Sequence, residues 1–167
     1  VCLYVGRIAA EKNIHQAIET YKALSGHYKV RFVLVGDGPL REQLQNMHPD
    51  FIFCGTQIGE TLATHFASAD IMLFPSRTET FGNVVLEAMA SGVPCVVSSR
   101  SGVADLIQHE KNGLLLADPL DTATLADYMT RLMDPEFSKA IAAKGIDTAR
   151  IYSDERNAER ILALYHE

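Results

Sequence analysis

The chain has 167 residues, of which 47% are hydrophobic and 22% charged, enough for one domain with a proper core. A net charge of −6 argues against a general nucleic-acid or anionic-membrane surface, leaving room only for local basic sites. No apolar run approaches the ~20 residues of a membrane span, and no signal peptide is visible. Three cysteines, Cys2, Cys54 and Cys95, are spaced for neither a metal site nor a disulfide framework and read as buried free thiols of a reducing compartment.

The chain opens on Val1 inside an apolar run, as expected of a piece cut from a longer protein. From there, short β-branched runs alternate with longer helical patterns. Strands are predicted near 1–5, 30–35, 51–54, 70–74, 94–98 and 113–116. Helices are predicted near 13–25, 39–47, 59–68, 82–91, 103–109, 121–133, 135–149 and 154–166. Runs such as Phe32-Val33-Leu34-Val35 are apolar without alternation, as in strands covered on both faces. Pro39 falls near the first position of a helix, Asp121 and Asp134-Pro135 mark helix starts, and Gly92 marks a helix end. The expectation is an α/β fold: a doubly wound, Rossmann-like parallel sheet of six strands in the order 3-2-1-4-5-6, helices on both faces, forming a single domain over 1–167.

In that order, strands 1 and 4 are neighbours and the chain reverses between them, so ligands should bind above their carboxyl ends. The loop after strand 1, Gly6-Arg7-Ile8-Ala9-Ala10-Glu11-Lys12-Asn13, places Arg7 and Lys12 there. The loop after strand 4 runs from Pro75 to Asn83 and leads into a helix. Two cations beside a helix N-terminus suit a phosphate or diphosphate, and Gly82 lets the backbone approach it. Glu87 stands among Val84, Val85, Leu86, Ala88, Met89 and Ala90, in a helix that reads as largely buried. A carboxylate there is either a surface residue on a narrow polar stripe or an acceptor for a ligand diol such as ribose. Glu79 lies before the helix, on the other side of the phosphate position. That separation suits a nucleotide-sugar, with a hexose at one end of its diphosphate and a ribose at the other.

The spacing E-x7-E from Glu79 to Glu87 resembles the signature of retaining GT-B glycosyltransferases of family 4, the glycosyltransferase group 1 type. So do Pro75-Ser76, Phe81-Gly82 and Glu87-Ala88-Met89-Ala90-x-Gly92-x-Pro94 around it, with Val5-Gly6-Arg7, Lys12-Asn13, Val35-Gly36-Asp37-Gly38-Pro39, Phe53-x-Gly55 and Ala69-Asp70. The likeness runs from residue 1 to about 133 and implies the C-terminal, donor-binding half of such an enzyme, without its N-terminal acceptor domain. It implies that Gly6, Arg7 and Lys12 meet the donor diphosphate, supported by the amides of Asn83 and Val84. Glu79 and the amides of Phe81 and Gly82 would hold the donor sugar, Glu87 the ribose, and Gly55 and Thr56 would lie near the base. Arg7, Lys12 and Glu79 are the expected catalytic residues.

The resemblance further implies a UDP- or GDP-hexose donor, retention at the anomeric carbon, and a glycan or glycolipid acceptor brought by the absent half. The implied location is cytoplasmic, with peripheral membrane association at the inner face. No cofactor or metal is expected, and the sequence has no Asp-x-Asp motif to hold one. Two rivals remain open: a nucleotide-sugar epimerase of similar fold, and a non-catalytic nucleotide-sugar-binding module. A dehydrogenase fits less well, because Gly36-Asp37-Gly38-Pro39-Leu40-Arg41 carries Arg41 where a dinucleotide fingerprint needs its third glycine.

Overall fold

The computed structural model describes residues 1–25, 28–79, 82–117 and 121–152. The expected helix at 154–166 lies outside the described residues. Six strands, β1 (Cys2–Val5), β2 (Phe32–Val35), β3 (Ile52–Gly55), β4 (Ile71–Phe74), β5 (Cys95–Ser98) and β6 (Leu114–Leu116), form one parallel sheet in the order 3-2-1-4-5-6. The four strands β1, β2, β4 and β5 are buried at every residue, which is why their sequences do not alternate. β3, at the sheet edge, is exposed at Ile52 and half-buried at Phe53 and Cys54.

Among the described residues, six helices connect and cover the strands: α1 (Ile14–Ser25), α2 (Arg41–Met47), α3 (Gly59–Ala67), α4 (Asn83–Ala90), α5 (Thr122–Arg131) and α6 (Pro135–Ile151). The sheet separates two apolar cores. On one side, Ile14 and Ile18 of α1 pack with Leu44 of α2 and with Leu125 and Met129 of α5. On the other, Phe66 of α3 packs with Val85 and Met89 of α4. α6 joins both, with Ile141 in the first core and Ala149 in the second. It starts where expected: Asp134 accepts a hydrogen bond from the Phe137 amide at 2.8 Å, with Pro135 in the first turn. Asp121 caps α5 in the same way, at 3.0 Å from the Thr124 amide.

Two local expectations are corrected, and one turn is added. The segment near 103–109 is a 3-10 turn over Gly102–Leu106, after which Ile107 is extended. Val103 and Leu106 bury themselves in the second core, and this packing supplies what a full helix would otherwise provide. A second 3-10 turn, Ala10–Lys12, was not expected; Asn13 closes it in the left-handed conformation at φ 54°. Pro39 belongs to the turn before α2, which begins two residues later at Arg41. Buried Cys2 and Cys95 have thiols held upward to about 12 by burial, so both stay protonated and inert.

Candidate functional site

A crevice of about 670 Å³ opens above the carboxyl ends of β1 and β4, where the strand order reverses. Its lining includes Gly6, Arg7, Lys12, Glu79, Gly82, Asn83 and Val84, so seven of the expected site residues meet in one cavity. Phe81 lies outside the described residues.

The two loops are fastened to each other. The Asn13 side chain donates to the Pro75 carbonyl at 2.9 Å, tying the loop after β1 to the loop after β4. Lys12 Nζ donates to Glu79 Oε2 at 2.8 Å, with the two side chains only 16% and 28% exposed. The Glu79 carbonyl in turn accepts from the Gly102 amide at 2.8 Å, so this carboxylate is held through both backbone and side chain. Arg7 is different: its side chain is 64% exposed, and its nearest carboxylate, Glu11, stands at 3.4 Å. The loop after β2 packs beneath it. The Ile8 amide donates to the Asp37 carbonyl at 2.9 Å, and the Leu40 amide to the Ile8 carbonyl at 3.1 Å. A Cβ on Gly38 would lie 2.4 Å from the Ile8 carbonyl oxygen, so the Gly36-Asp37-Gly38 run serves close loop packing. A dinucleotide fingerprint is not needed to explain those glycines.

Gly82 forms the N-cap of α4 in the left-handed region, at φ 69° and ψ 55°. The helix thereby aims its first turn at the crevice, and the leading amides of a helix lack intrahelical acceptors. Within the crevice, two cations (Arg7, Lys12) are balanced by two carboxylates (Glu11, Glu79). A cation pair beside a helix N-terminus is an arrangement suited to an anionic group.

Three of the expected donor-binding residues stand apart from this cavity. Glu87 is on the exposed face of α4, which is less buried than its sequence suggests, since Asn83, Glu87 and Ala90 all face outward. It lines a neighbouring hollow with Leu62, Ala63 and Phe66 of α3. There, partial burial raises its carboxyl above the ordinary range. Gly55 ends β3 beside the Arg41 guanidinium, and Thr56 is exposed just after it. Glu87 thus faces a hollow on the α3 side of α4, while Gly55 and Thr56 lie at the end of β3.

The raised Glu87 value has a testable sign. A carboxyl whose folded value lies above its unfolded one favours folding below the unfolded value and loses that advantage as pH rises through the folded value. Glu87→Gln should therefore be at least as stable as the parent at pH 7, with the gain vanishing near pH 4. Thermal melts at the two pH values check this; a variant clearly less stable at pH 7 would contradict it.

Residues that sequence reasoning did not single out also line the crevice, among them Tyr4, Glu11 and Thr78. The available signal for Tyr4 was a lone hydroxyl in the otherwise apolar strand Cys2-Leu3-Tyr4-Val5. Among the described residues, no group of three or more His, Cys, Asp or Glu could hold a metal ion, and no helix is long and apolar enough to cross a membrane.

Comparisons with known proteins bear on the family and the fold. The chain is 46% identical over 113 residues to a GDP-mannose-dependent alpha-mannosyltransferase of Corynebacterium glutamicum, covering 68% of this chain and 26% of that protein. The chain spans less than half the length of the curated relatives it matches. Sucrose-phosphate synthase from Thermosynechococcus elongatus superposes on 99% of this chain and 44% of its own, with TM-score 0.85 and 28% identity. The C-terminal domain of a glycosyl transferase group 1 family protein from Francisella tularensis shares the fold, with TM-score 0.77 and 23% identity over 93% of this chain and 86% of its own. A sequence model of the family described as Glycosyl transferases group 1 matches residues 1–135, and the chain belongs to that family.

Proposed function

We propose that this chain is the donor-binding half of a retaining GT-B glycosyltransferase, which moves a hexosyl group from a UDP- or GDP-hexose to an acceptor hydroxyl. The observation that carries this reading is the juxtaposition of Lys12, Glu79 and the α4 N-terminus in one crevice at the strand reversal. In this reading Arg7, Lys12 and the amides of Asn83 and Val84 receive the diphosphate. Negative charge grows on that group as the glycosidic bond breaks, and donors fixed in advance favour the transition state. No metal is then required for the leaving group. Glu79 and the amides of Phe81 and Gly82 hold hydroxyls of the sugar; Glu87 accepts from the ribose beside α3, with Gly55 and Thr56 near the base. The acceptor, a glycan or glycolipid, is brought by a second domain, and a glycolipid acceptor places the whole enzyme at the inner face of a membrane.

Calorimetry with UDP and GDP in EDTA tests this. GDP is the first choice, because the Corynebacterium relative is named for GDP-mannose. Binding should survive chelation. Glu87→Gln should weaken both the free nucleoside diphosphate and the matching nucleotide-sugar. Glu79→Gln should not weaken the free diphosphate, because it releases Lys12 from its ion pair at 2.8 Å. In the full-length enzyme it should lower turnover, since contacts to the sugar matter most as the sugar distorts. Equal losses of free diphosphate affinity in both variants would reject this division of roles, and strict dependence on Mg²⁺ or Mn²⁺ would reject the metal-free mechanism.

A further inference from the structure

The loop that carries Arg7 is anchored residue by residue. Gly6 donates its amide to the Val35 carbonyl at 3.0 Å, and Ile8 is bound on both sides by the loop after β2. These are backbone bonds, indifferent to side-chain identity. The Arg7 carbonyl, between them, accepts from a side chain: the Tyr4 hydroxyl, at 2.8 Å. Tyr4 has no exposed surface, and its ring sits in the first core with Ile8 and Ile14. The Arg7 side chain, by contrast, is largely exposed and gains little rigidity from Glu11 at 3.4 Å. What the fold holds in place for Arg7 is therefore its peptide, from which the side chain extends.

We propose that Tyr4 is a positioning residue for the diphosphate site: its buried hydroxyl holds the Arg7 carbonyl and so fixes the peptide from which the guanidinium reaches into the crevice. This rests on the reading of Arg7 as a diphosphate ligand. A phenylalanine would fill the same core volume and leave the sheet intact, but the peptide that carries the Arg7 carbonyl would keep only the Ile8 amide bond to Asp37 and lose its second hydrogen bond. The groups facing the hydroxyl favour the donor role. Burial first, then the charges of Glu79 and Glu11, keep its proton in place well above neutral pH.

The test is a double-mutant cycle on this chain, with GDP and UDP as probes and calorimetry as the readout. Tyr4→Phe should weaken binding by about 3- to 10-fold, the range of one neutral hydrogen bond. In the Arg7→Ala background the same substitution should change nothing further, because Tyr4 acts through Arg7. Hydrogen exchange supplies a second reading that needs no ligand: in Tyr4→Phe the Ile8 amide should exchange faster while the Val33 amide in β2 keeps its protection. Parent-like binding by Tyr4→Phe, with Arg7→Ala weakened, overturns the positioning role and leaves the proposed function standing. An equal loss in both backgrounds also overturns it, since Tyr4 would then act independently of Arg7. If Arg7→Ala binds like the parent, Arg7 is no diphosphate ligand and the positioning role falls, while the binding of Lys12→Ala decides the proposed function.

Discussion

Lys12→Ala should cost the chain nucleoside diphosphate affinity at the upper end of about 1.5–3 kcal/mol, the range for hydrogen bonds to charged groups. That corresponds to a loss of about 10- to 150-fold. Arg7→Ala should fall at the lower end. The ranking follows from the geometry. Lys12 is 16% exposed, so packing has already restricted its side chain before the ligand arrives. Arg7 is 64% exposed and must give up side-chain freedom on binding. Removing Lys12 also leaves Glu79 unpaired beside the position proposed for the phosphates, and that repulsion adds to the loss. The double variant Lys12→Ala with Glu79→Gln separates the two contributions: it should recover part of the affinity that Lys12→Ala alone loses. Calorimetry with GDP and UDP measures all four proteins. If both single variants bind as tightly as the parent, the crevice is not the diphosphate site.

Gly82→Ala should damage both the fold around the site and the site itself. An added Cβ would lie 2.0 Å from Val103 Cγ2, and the residue would keep a left-handed φ of 69°. The conformation costs roughly 1–2 kcal/mol for an L side chain, and overpacking a buried neighbour typically costs about 1–3 kcal/mol more. Together these should lower the melting temperature by on the order of 10 °C, given about 2–4 °C per kcal/mol for a domain of this size. Val103 cannot swing away, since it is buried in the second core and β-branched. Adding Val103→Ala removes the offending methyl, so the double variant should lose less than the sum of its parts. Additive losses in a thermal or denaturant melt would show that Gly82 and Val103 do not pack as described. The same clash would displace the α4 N-cap, so Gly82→Ala should also weaken the diphosphate, even at temperatures where the variant is folded.

The sheet was legible in the sequence because its determinants are local. Runs such as Phe32-Val33-Leu34-Val35 and Cys95-Val96-Val97 can be buried on both faces only in a covered parallel sheet, and right-handed crossovers leave few strand orders. The caps were equally legible: Asp121 and Asp134 act through amides three residues away. Arg7, Lys12 and Glu79 could be assigned to one crevice once the strand order was known, because topology alone brings the ends of β1 and β4 together.

Other features depend on contacts between residues far apart in the chain, which no local pattern encodes. The apolar neighbours of Glu87 left open whether it stands on a narrow surface stripe or faces a ligand; the helix turns it outward, and the approach of α3 partly buries it. The 3-10 turn at Gly102–Leu106 exists because Val103 and Leu106 find the second core. The pairing of Lys12 with Glu79 joins residues 67 positions apart, and its distance follows from the Asn13 bond to Pro75 and the Gly102 bond to Glu79. Residue types and spacings determined the sheet, the caps and the chemical inventory of the crevice, through burial pattern and short-range hydrogen bonding. Which donor meets which acceptor, and how exposed each charge is, was decided by tertiary packing, because those quantities depend on side chains supplied by other loops and helices.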